Sequence, residues 1–359
     1  MKKLLIPLLI VFAIGSFGQT TTVTKPPVIT TTVLSNFDTV RKTVDTVITT
    51  TVVSNATIKY DTLKYKAPAS TYLNSLPVSY YGKSNFSITG LSFTGGTNCL
   101  VLNNCQNVTI SNCRFANAAK YEIYITGSCK NITISNCFIM GGISGIHAEN
   151  SSTIKVNSNQ FLNMNGPYPG GNFVQFVNVS GGGCQINYNK CEDIAGVAQH
   201  PQDGLSIYKS NGLQGDSIQV IGNWIRGGQI TNDSGGAAGI VLGDVGGSYQ
   251  VARYNIVVNG GFVGMQVQGG NHIKMDHNTI YSSATPYSND GLSFGNYSGA
   301  SSSDVNISYN KIRFYNRNGV EVDEWWDPST AYQPAGWSTN ILRASIDASI
   351  LPVTLITLK

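Results

Sequence analysis

From about residue 85 onward the chain repeats a short unit, and few folds accommodate such a repeat. The unit reads apolar-x-apolar-x-x-Asn-x-apolar, with Cys in the Asn place in two copies: Val108-Thr-Ile110-Ser-Asn-Cys113-Arg-Phe115 and Ile132-Thr-Ile134-Ser-Asn-Cys137-Phe-Ile139. Asn159, Asn189, Asn223, Asn255, Asn278 and Asn310 follow in that place, at spacings of 24, 22, 30, 34, 32, 23 and 32 residues counted from Cys113. Between copies falls a second unit, Gly-apolar-x-apolar, at Gly145, Gly204, Gly239, Gly264, Gly291 and Gly319, with Phe173-Val-Gln-Phe filling one slot without the Gly. Short period-2 apolar runs bounded by Gly and Asn are strands with one buried face. Two or three of them in a period of roughly 22 to 24 residues predict an all-β fold, a single-stranded parallel β-solenoid. Stacked about 4.8 Å apart, about nine turns make a rod roughly 40 Å long. Its open ends require caps.

Composition agrees with this reading. The 359 residues are 41% apolar, enough for a sizeable core, but only 12% charged. A charged fraction that low excludes coiled coils and helical bundles, whose surfaces need Lys, Glu and Arg. The net charge is +4, of which two charges are Lys2 and Lys3, so there is no electrostatic case for a nucleic-acid partner.

Residues 1–18 read as a signal peptide: two lysines, an apolar run over 4–13 broken by Pro7, then Ser16 and Gly18 at the cleavage-determining positions. That run is shorter than the about 20 apolar residues a span requires. The expectation is an exported bacterial-type protein, secreted or on the cell surface, monomeric, with no membrane span once the signal is removed. Residues 19–70, rich in Thr and Val, read as an extended stalk or linker, or alternatively as a β-rich segment docked on the main body. The solenoid is expected over 71–326 and a C-terminal tail over 327–359, packing back on it. Residues 67–80, with Tyr72, Leu73 and Leu76, are expected to cap the first turn, and Trp325-Trp326 to close the last.

Asn suits the left-handed bends at solenoid corners, and stacked amides hydrogen-bond from rung to rung. Cysteine keeps the same register: Cys105 and Cys129 are 24 apart, as are Cys113 and Cys137. Exported chains often oxidise and adjacent rungs lie near bridging distance; the alternative is that each Cys is a small buried hydrophobe. Neither the seven Cys nor the four His show zinc spacing, and the acidic residues form no clear Ca²⁺ cluster, so no cofactor is expected.

The Asn-Val-Thr-Ile-Ser-Asn-type rungs, over about residues 80–325, resemble the right-handed parallel β-helix superfamily that includes pectate lyases and polygalacturonases. The run from His200-Pro-Gln-Asp203 to Tyr208-Lys209, with Gly246-Gly-Ser-Tyr249 and Trp325-Trp326, is similar to a group of secreted bacterial β-helix proteins. The resemblance implies a right-handed winding and an extracellular polysaccharide as partner. Of the polygalacturonase elements, only Asp203-Gly204 and Asp290-Gly291 echo the Asp-Gly strand; the paired Asp-Asp and the Gly-His-Gly are missing. The Arg-bearing motifs of pectate lyases are not evident either.

Loop lengths locate a site. From the Asn column to the next Gly-type strand there are 8 or 9 residues at Cys137, Asn255 and Asn310, but 14, 15, 16 and 13 at Asn159, Asn189, Asn223 and Asn278. The longer connections, about 160–172, 190–203, 224–238 and 279–290, leave from one edge, and long loops in a tight repeat carry function. The catalytic candidates lie there: His200, Asp203, Tyr208, Lys209, then Arg226, with Asp233 on the same loop, and Asp244 ending the next strand. Lys209, Tyr208 or His200 would act as base on a uronate ring carbon while Arg226 neutralises the carboxylate. Alternatively, Asp203 and Asp244 would form an acid/base pair for glycoside cleavage. Alternation puts His147, Glu149, Gln175, Gln266, Gln268, Glu321 and Asp323 on the outer face of the Gly-strand sheet. The substrate-binding candidates are His147, Glu149, Tyr168, Gln175, Gln268, Tyr287 and Asp290. Each has a plainer role: an Asp before Gly forms turns, His200 beside Pro201 caps a loop, and Lys209 guards a sheet edge. The expectation is a carbohydrate-active protein that cleaves an extracellular polysaccharide, lyase ahead of hydrolase. The alternative is a non-catalytic glycan-binding module or adhesin on a stalk.

Overall fold

The computed structural model describes residues 72–356 except 167–169, 194–199, 229–236 and 331–332, together with the strand segments Thr20–Val23, Thr30–Thr32, Val40–Lys42, Ile48–Val53 and Thr57–Lys59. The expected signal peptide therefore lies outside the described residues, as do Tyr168 and Asp233. The chain divides into two units, Met1–Ser70 and Thr71–Lys359. In the first, Ile48–Val53 pairs antiparallel with both Thr20–Val23 and Thr57–Lys59, and Thr30–Thr32 with Val40–Lys42. The β-branched Thr/Val alternation is realised there as paired strands.

The second unit is a right-handed parallel β-helix. Its turns contribute strands to three parallel sheets of ten, nine and ten strands. The first sheet runs from Val78–Tyr81 to Glu324–Trp326, the second from Ser84–Thr89 to Ser302–Ser308, and the third from Leu73–Ser75 to Lys311–Phe314. Alternation fixes what each strand buries. Leu205 and Ile207 point inward, fully buried, in register with Val174 and Phe176 of the preceding turn. Each such side chain contributes roughly 1.5–3 kcal/mol by leaving water. Among the described residues no helix is long and apolar enough to cross a membrane, and no group of three His, Cys, Asp or Glu side chains could hold a metal ion.

The Asn column is a buried ladder. Asn223 Oδ1 accepts from the Asn189 amide at 2.9 Å and from Asn189 Nδ2 at 3.0 Å, while its own Nδ2 donates to Ile186 O and to Asn255 Oδ1. The same pattern links Asn159 through Asn310 to Asn340. The left-handed bend expected at these asparagines belongs instead to the residue before each: Ser158, Tyr188, Gly222, Tyr254, His277 and Tyr309. The bend turns the following Asn inward, where its amide satisfies backbone groups that water cannot reach.

Cysteine occupies ladder positions as a thiol. All seven cysteines are buried and none forms a disulfide; the Cys105 amide donates to Cys129 Sγ at 3.2 Å. The glycine column has a steric cause. A Cβ at Gly264 would collide with Ile280, and one at Gly239 with Val257, both inner side chains of the third sheet. Only glycine lets the two sheets meet this closely.

The ends differ from expectation. Leu73 and Leu76 are exposed and do not cover the first turn; Leu73–Ser75 is instead the first strand of the third sheet, and partly buried Val78, Tyr80, Phe86 and Leu91 pack on the core there. At the C-terminal end Trp326 packs against the core, whereas Trp325 is 41% exposed. Trp337 is buried, Ala335 bridges to Asn306 and Asn340 extends the ladder, so residues 335–340 close the winding. Beyond them Leu351, Leu355 and Ile356 pack on Phe138, Leu162 and Val258 of the third sheet.

Candidate functional site

A groove of about 780 Å³ lies on the outer face of the first sheet, over its C-terminal half. Gln175, Gln266, Ser293 and Trp325 line it, all members of one column of register partners that also runs through buried Ser206 and Val241. Carboxyl groups enter from both ends of the strands.

Asp203 and Asp290 begin their strands immediately before a glycine of the close-packed column. Because the glycine takes the crowded inner position, the residue ahead of it lines the groove. Simple alternation would have pointed both carboxyls inward, with Leu205 and Leu292. Asp244 arrives differently. The register between Asp203–Tyr208 and Ala238–Asp244 shifts after Ser206, pairing Tyr208 with Asp244. Gly243 takes the left-handed conformation (φ 62°) there, a bulge that re-aims the next side chain. Asp244 Oδ2 consequently accepts from Ser206 Oγ at 3.2 Å.

The three carboxyls hold protons differently. Burial pushes Asp203 well above the usual carboxylate range, and the nearby Asp244 charge adds to that, against a hydrogen bond from the Ala238 amide at 3.0 Å. Asp244 is raised to about 6 by burial, tempered by Ser206 and Lys209. Asp290 is raised to about 7 by burial, with Asn289 Nδ2 donating to it at 2.7 Å. Around them stand amides (Gln175, Gln202, Gln266, Gln268) and aromatic rings (Tyr208, Tyr297, Trp325). Gln268 Nε2 donates to Gln266 Oε1 at 2.9 Å.

Of the sequence candidates, the groove therefore gathers Asp203, Tyr208, Asp244, Gln175, Gln268 and Asp290. Others lie elsewhere. Arg226 sits on the outer face of the third sheet, where it binds Glu192 at 2.8 Å and donates to the carbonyls of Pro352 and Val353; it anchors the tail and does not reach the groove. His200 is buried and not part of the groove lining, its Nδ1 2.9 Å from Asp193 Oδ2. Lys209 takes the left-handed corner with its ammonium 5.2 Å from the Tyr208 ring centre; it acts on the groove through its charge. Tyr287 is half-buried outside the lining.

His147 and Glu149 form a separate cluster nearer the N-terminal end of the same sheet. His147 Nε2 lies 3.4 Å from Glu149 Oε2, and its ring stacks on Tyr121 at 4.5 Å. Tyr124 and Thr126 hydroxyls donate to Glu149. Glu321 and Asp323 are not outward sheet residues. The last strand is Glu324–Trp326, so Trp325 takes the floor position, and Asp323 is buried, accepting from the amides of Phe314 and Arg343.

Sequence reasoning missed Tyr297 and Ser298, which wall the opposite edge. The signal was available: residues 295–301 form a long connection to the second sheet where the corresponding link between Glu149 and Ser152 is two residues.

Residues 78–244 match the family model described as right handed beta helix region, the class of protein that the stacked sheets define. Among solved structures the chain is similar to DFA-IIIase from Arthrobacter chlorophenolicus A6 in complex with GF2, at 15% identity and TM-score 0.45, covering 74% of this chain and 60% of that one. It is also similar to the enzymatically active domain of tailspike protein 2 of Bacteriophage CBA120, at 12% identity and TM-score 0.34, covering 72% and 42%. The chain thus spans about 60% of the first and less than half of the second. No curated protein matches it.

Proposed function

We propose that this protein binds an extracellular polysaccharide in the groove of the first sheet and cleaves it by acid/base glycoside hydrolysis. The observation that carries this reading is the Asp203/Asp244 pair, two carboxyls on one groove whose surroundings hold their protons to different degrees. Asp203, the more buried, stays protonated and can give a proton to a leaving glycosidic oxygen; Asp244, at about 6, is ionised near neutrality and can activate water or attack the sugar carbon. Carboxyls pushed apart in this way divide acid and base roles. Trp325, Tyr208 and Tyr297 supply flat faces for sugar rings, and the glutamines supply donors and acceptors for hydroxyls. A uronate lyase is supported less well, because the residue assigned to neutralise the uronate carboxylate, Arg226, is committed to the tail.

The test is digestion of a panel of neutral and uronate polysaccharides. The expected result is new reducing ends without the absorbance of an unsaturated product, with a rate that rises as pH climbs through about 6 and falls by at least about a hundredfold in Asp203→Asn and in Asp244→Asn. Unsaturated products would establish a lyase, and retention without products a binding module.

A further inference from the structure

The groove of the first sheet is one-sided in charge, and that bears on which sugar chains can enter it. Among the described residues no Lys, Arg or His lines it, whereas Asp203, Asp244 and Asp290 do. Residues 167–169, 194–199, 229–236 and 331–332 add no Lys, Arg or His in sequence. The chain as a whole carries +4, so the acidic groove runs against the net charge.

The three acids are not equivalent. Asp203 holds its proton, and Asp244 is opposed by the charge of Lys209. Asp290 has nothing set against it. One of its oxygens takes Asn289 Nδ2 at 2.7 Å, and the other is buried without a hydrogen-bond partner. The residue is only 2% exposed, and burial, not a neighbouring cation, governs its proton.

Register separates Asp290 from the reacting bond. Asn172, Asp203, Ala238, Val263 and Asp290 occupy one position on successive rungs of the sheet. Asp290 therefore stands three rungs from Asp203, roughly 14 Å, and two rungs beyond the strand that ends in Asp244. A proton donor or acceptor must come within about 3 Å of its partner, so Asp290 takes no part in the proton transfers. Nor does the fold require an acid there, because Asn, Ala and Val fill the same place on other rungs. A carboxyl kept in a setting that penalises its ionisation, where an amide would serve the packing, marks a functional constraint.

Repulsion is what such a group supplies. A uronate or sulfated chain would bring its own charges into a partly desolvated groove beside an acid with no counter-ion, where like charges repel more strongly than in water. An uncharged chain meets amides and flat rings instead. Tyr297 already shows the kind of contact available, its hydroxyl bonding to the side chains of Ser293 and Gln266. Discrimination between related ligands often rests on an element that opposes the wrong one.

We infer that the groove is specific for uncharged sugar chains and that Asp290 determines this by repelling anionic ones. Asp290 is thus a specificity-determining residue, not a catalytic one. The inference rests on the reading of the groove as a polysaccharide site and names the substrate class for it.

Affinity electrophoresis of the full chain at pH 8 and about 0.15 M salt tests this. The gels contain dextran, hydroxyethylcellulose or mannan, each run beside its charged counterpart: carboxymethyl-dextran, carboxymethylcellulose or carboxymethyl-mannan. Wild type should be retarded by at least one neutral polymer, and about tenfold less by the charged counterpart. In Asp290→Asn the ratio of the two should move at least about fivefold toward the charged polymer. Asp304→Asn, which removes the same charge from an exposed place on the second sheet, should leave the ratio at the wild-type value. Trp325→Ala, at the far end of the groove, should weaken neutral retardation about tenfold. Equal or stronger retardation of wild type by the charged polymer, an unmoved ratio in Asp290→Asn, or an equal shift in Asp304→Asn overturns this inference alone. No retardation by any polymer, or neutral retardation that Trp325→Ala leaves intact, overturns the polysaccharide reading of the groove as well. Retardation needs no turnover, so a failure to find hydrolysis leaves each of these outcomes as it stands.

Discussion

At Asp290 one carboxyl oxygen is buried without a hydrogen-bond partner while the other accepts from Asn289, and burial raises the group to about 7. The consequence for stability has a definite sign. Below about pH 4 both folded and unfolded chains hold the proton and the group contributes nothing. Between there and about 7 the unfolded chain has released it and the folded chain has not, so stability falls with rising pH, by about 1.4 kcal/mol for each pH unit. Above 7 the full penalty, roughly 4 kcal/mol at most, is in place. Asp290→Asn keeps the acceptor for Asn289 and removes the ionisation. Its denaturation midpoint should exceed wild type at pH 8 and match it near pH 4; equal midpoints at pH 8 would show that the carboxyl is not buried as described. The same residue illustrates what the sequence left hidden. Asp-Gly reads as a turn, and whether it turns a carboxyl toward solvent, core or groove depends on the crowding at Gly291 by Ile312 and Phe314, side chains more than 20 residues away.

Elements show the same division. The strand positions follow from alternation and the rung-to-rung ladder from the recurring Asn, because these are local preferences. The outer faces were harder to assign. Arg226 follows a strand motif beside a long loop; its ion pair is with Glu192, its register partner on the neighbouring rung, and only the return of residues 351–356 across the third sheet gives it two tail carbonyls. The expected outcome for Arg226→Ala follows from this: faster proteolytic clipping of the tail, with hydrolysis in the groove within about twofold of wild type. A large loss of turnover with an intact tail would return Arg226 to the chemistry. Trp325 is the converse case. Gly319-Val-Glu-Val mimics a sheet strand, but the chain there bridges Tyr315 to Glu321, and the sheet resumes three residues later.

For the solenoid as a whole, nearly all long-range pairing is between neighbouring turns, so stability accumulates rung by rung. Cysteine takes part in this as a small apolar side chain in adjacent rungs. All seven thiols are buried, and burial raises several of them, Cys99 and Cys191 among them. A thiol-specific reagent should therefore label none of the seven in the native protein and all seven in denaturant, and a reductant should leave the melting temperature unchanged. A drop on reduction would mean that rungs are cross-linked.

The sequence by itself determined the winding: a period-2 apolar pattern, a polar ladder residue and a crowded glycine recur often enough that only a stacked parallel coil satisfies all three. Those are statements about neighbours a few residues or one turn apart, and local chemistry settles them. Which ionisable groups share a surface was decided by tertiary structure alone. A bulge at Gly243, a late strand at Glu324–Trp326 and a tail that returns over the third sheet each move a side chain from one face to another, and none of these displacements changes the repeat that encodes the fold.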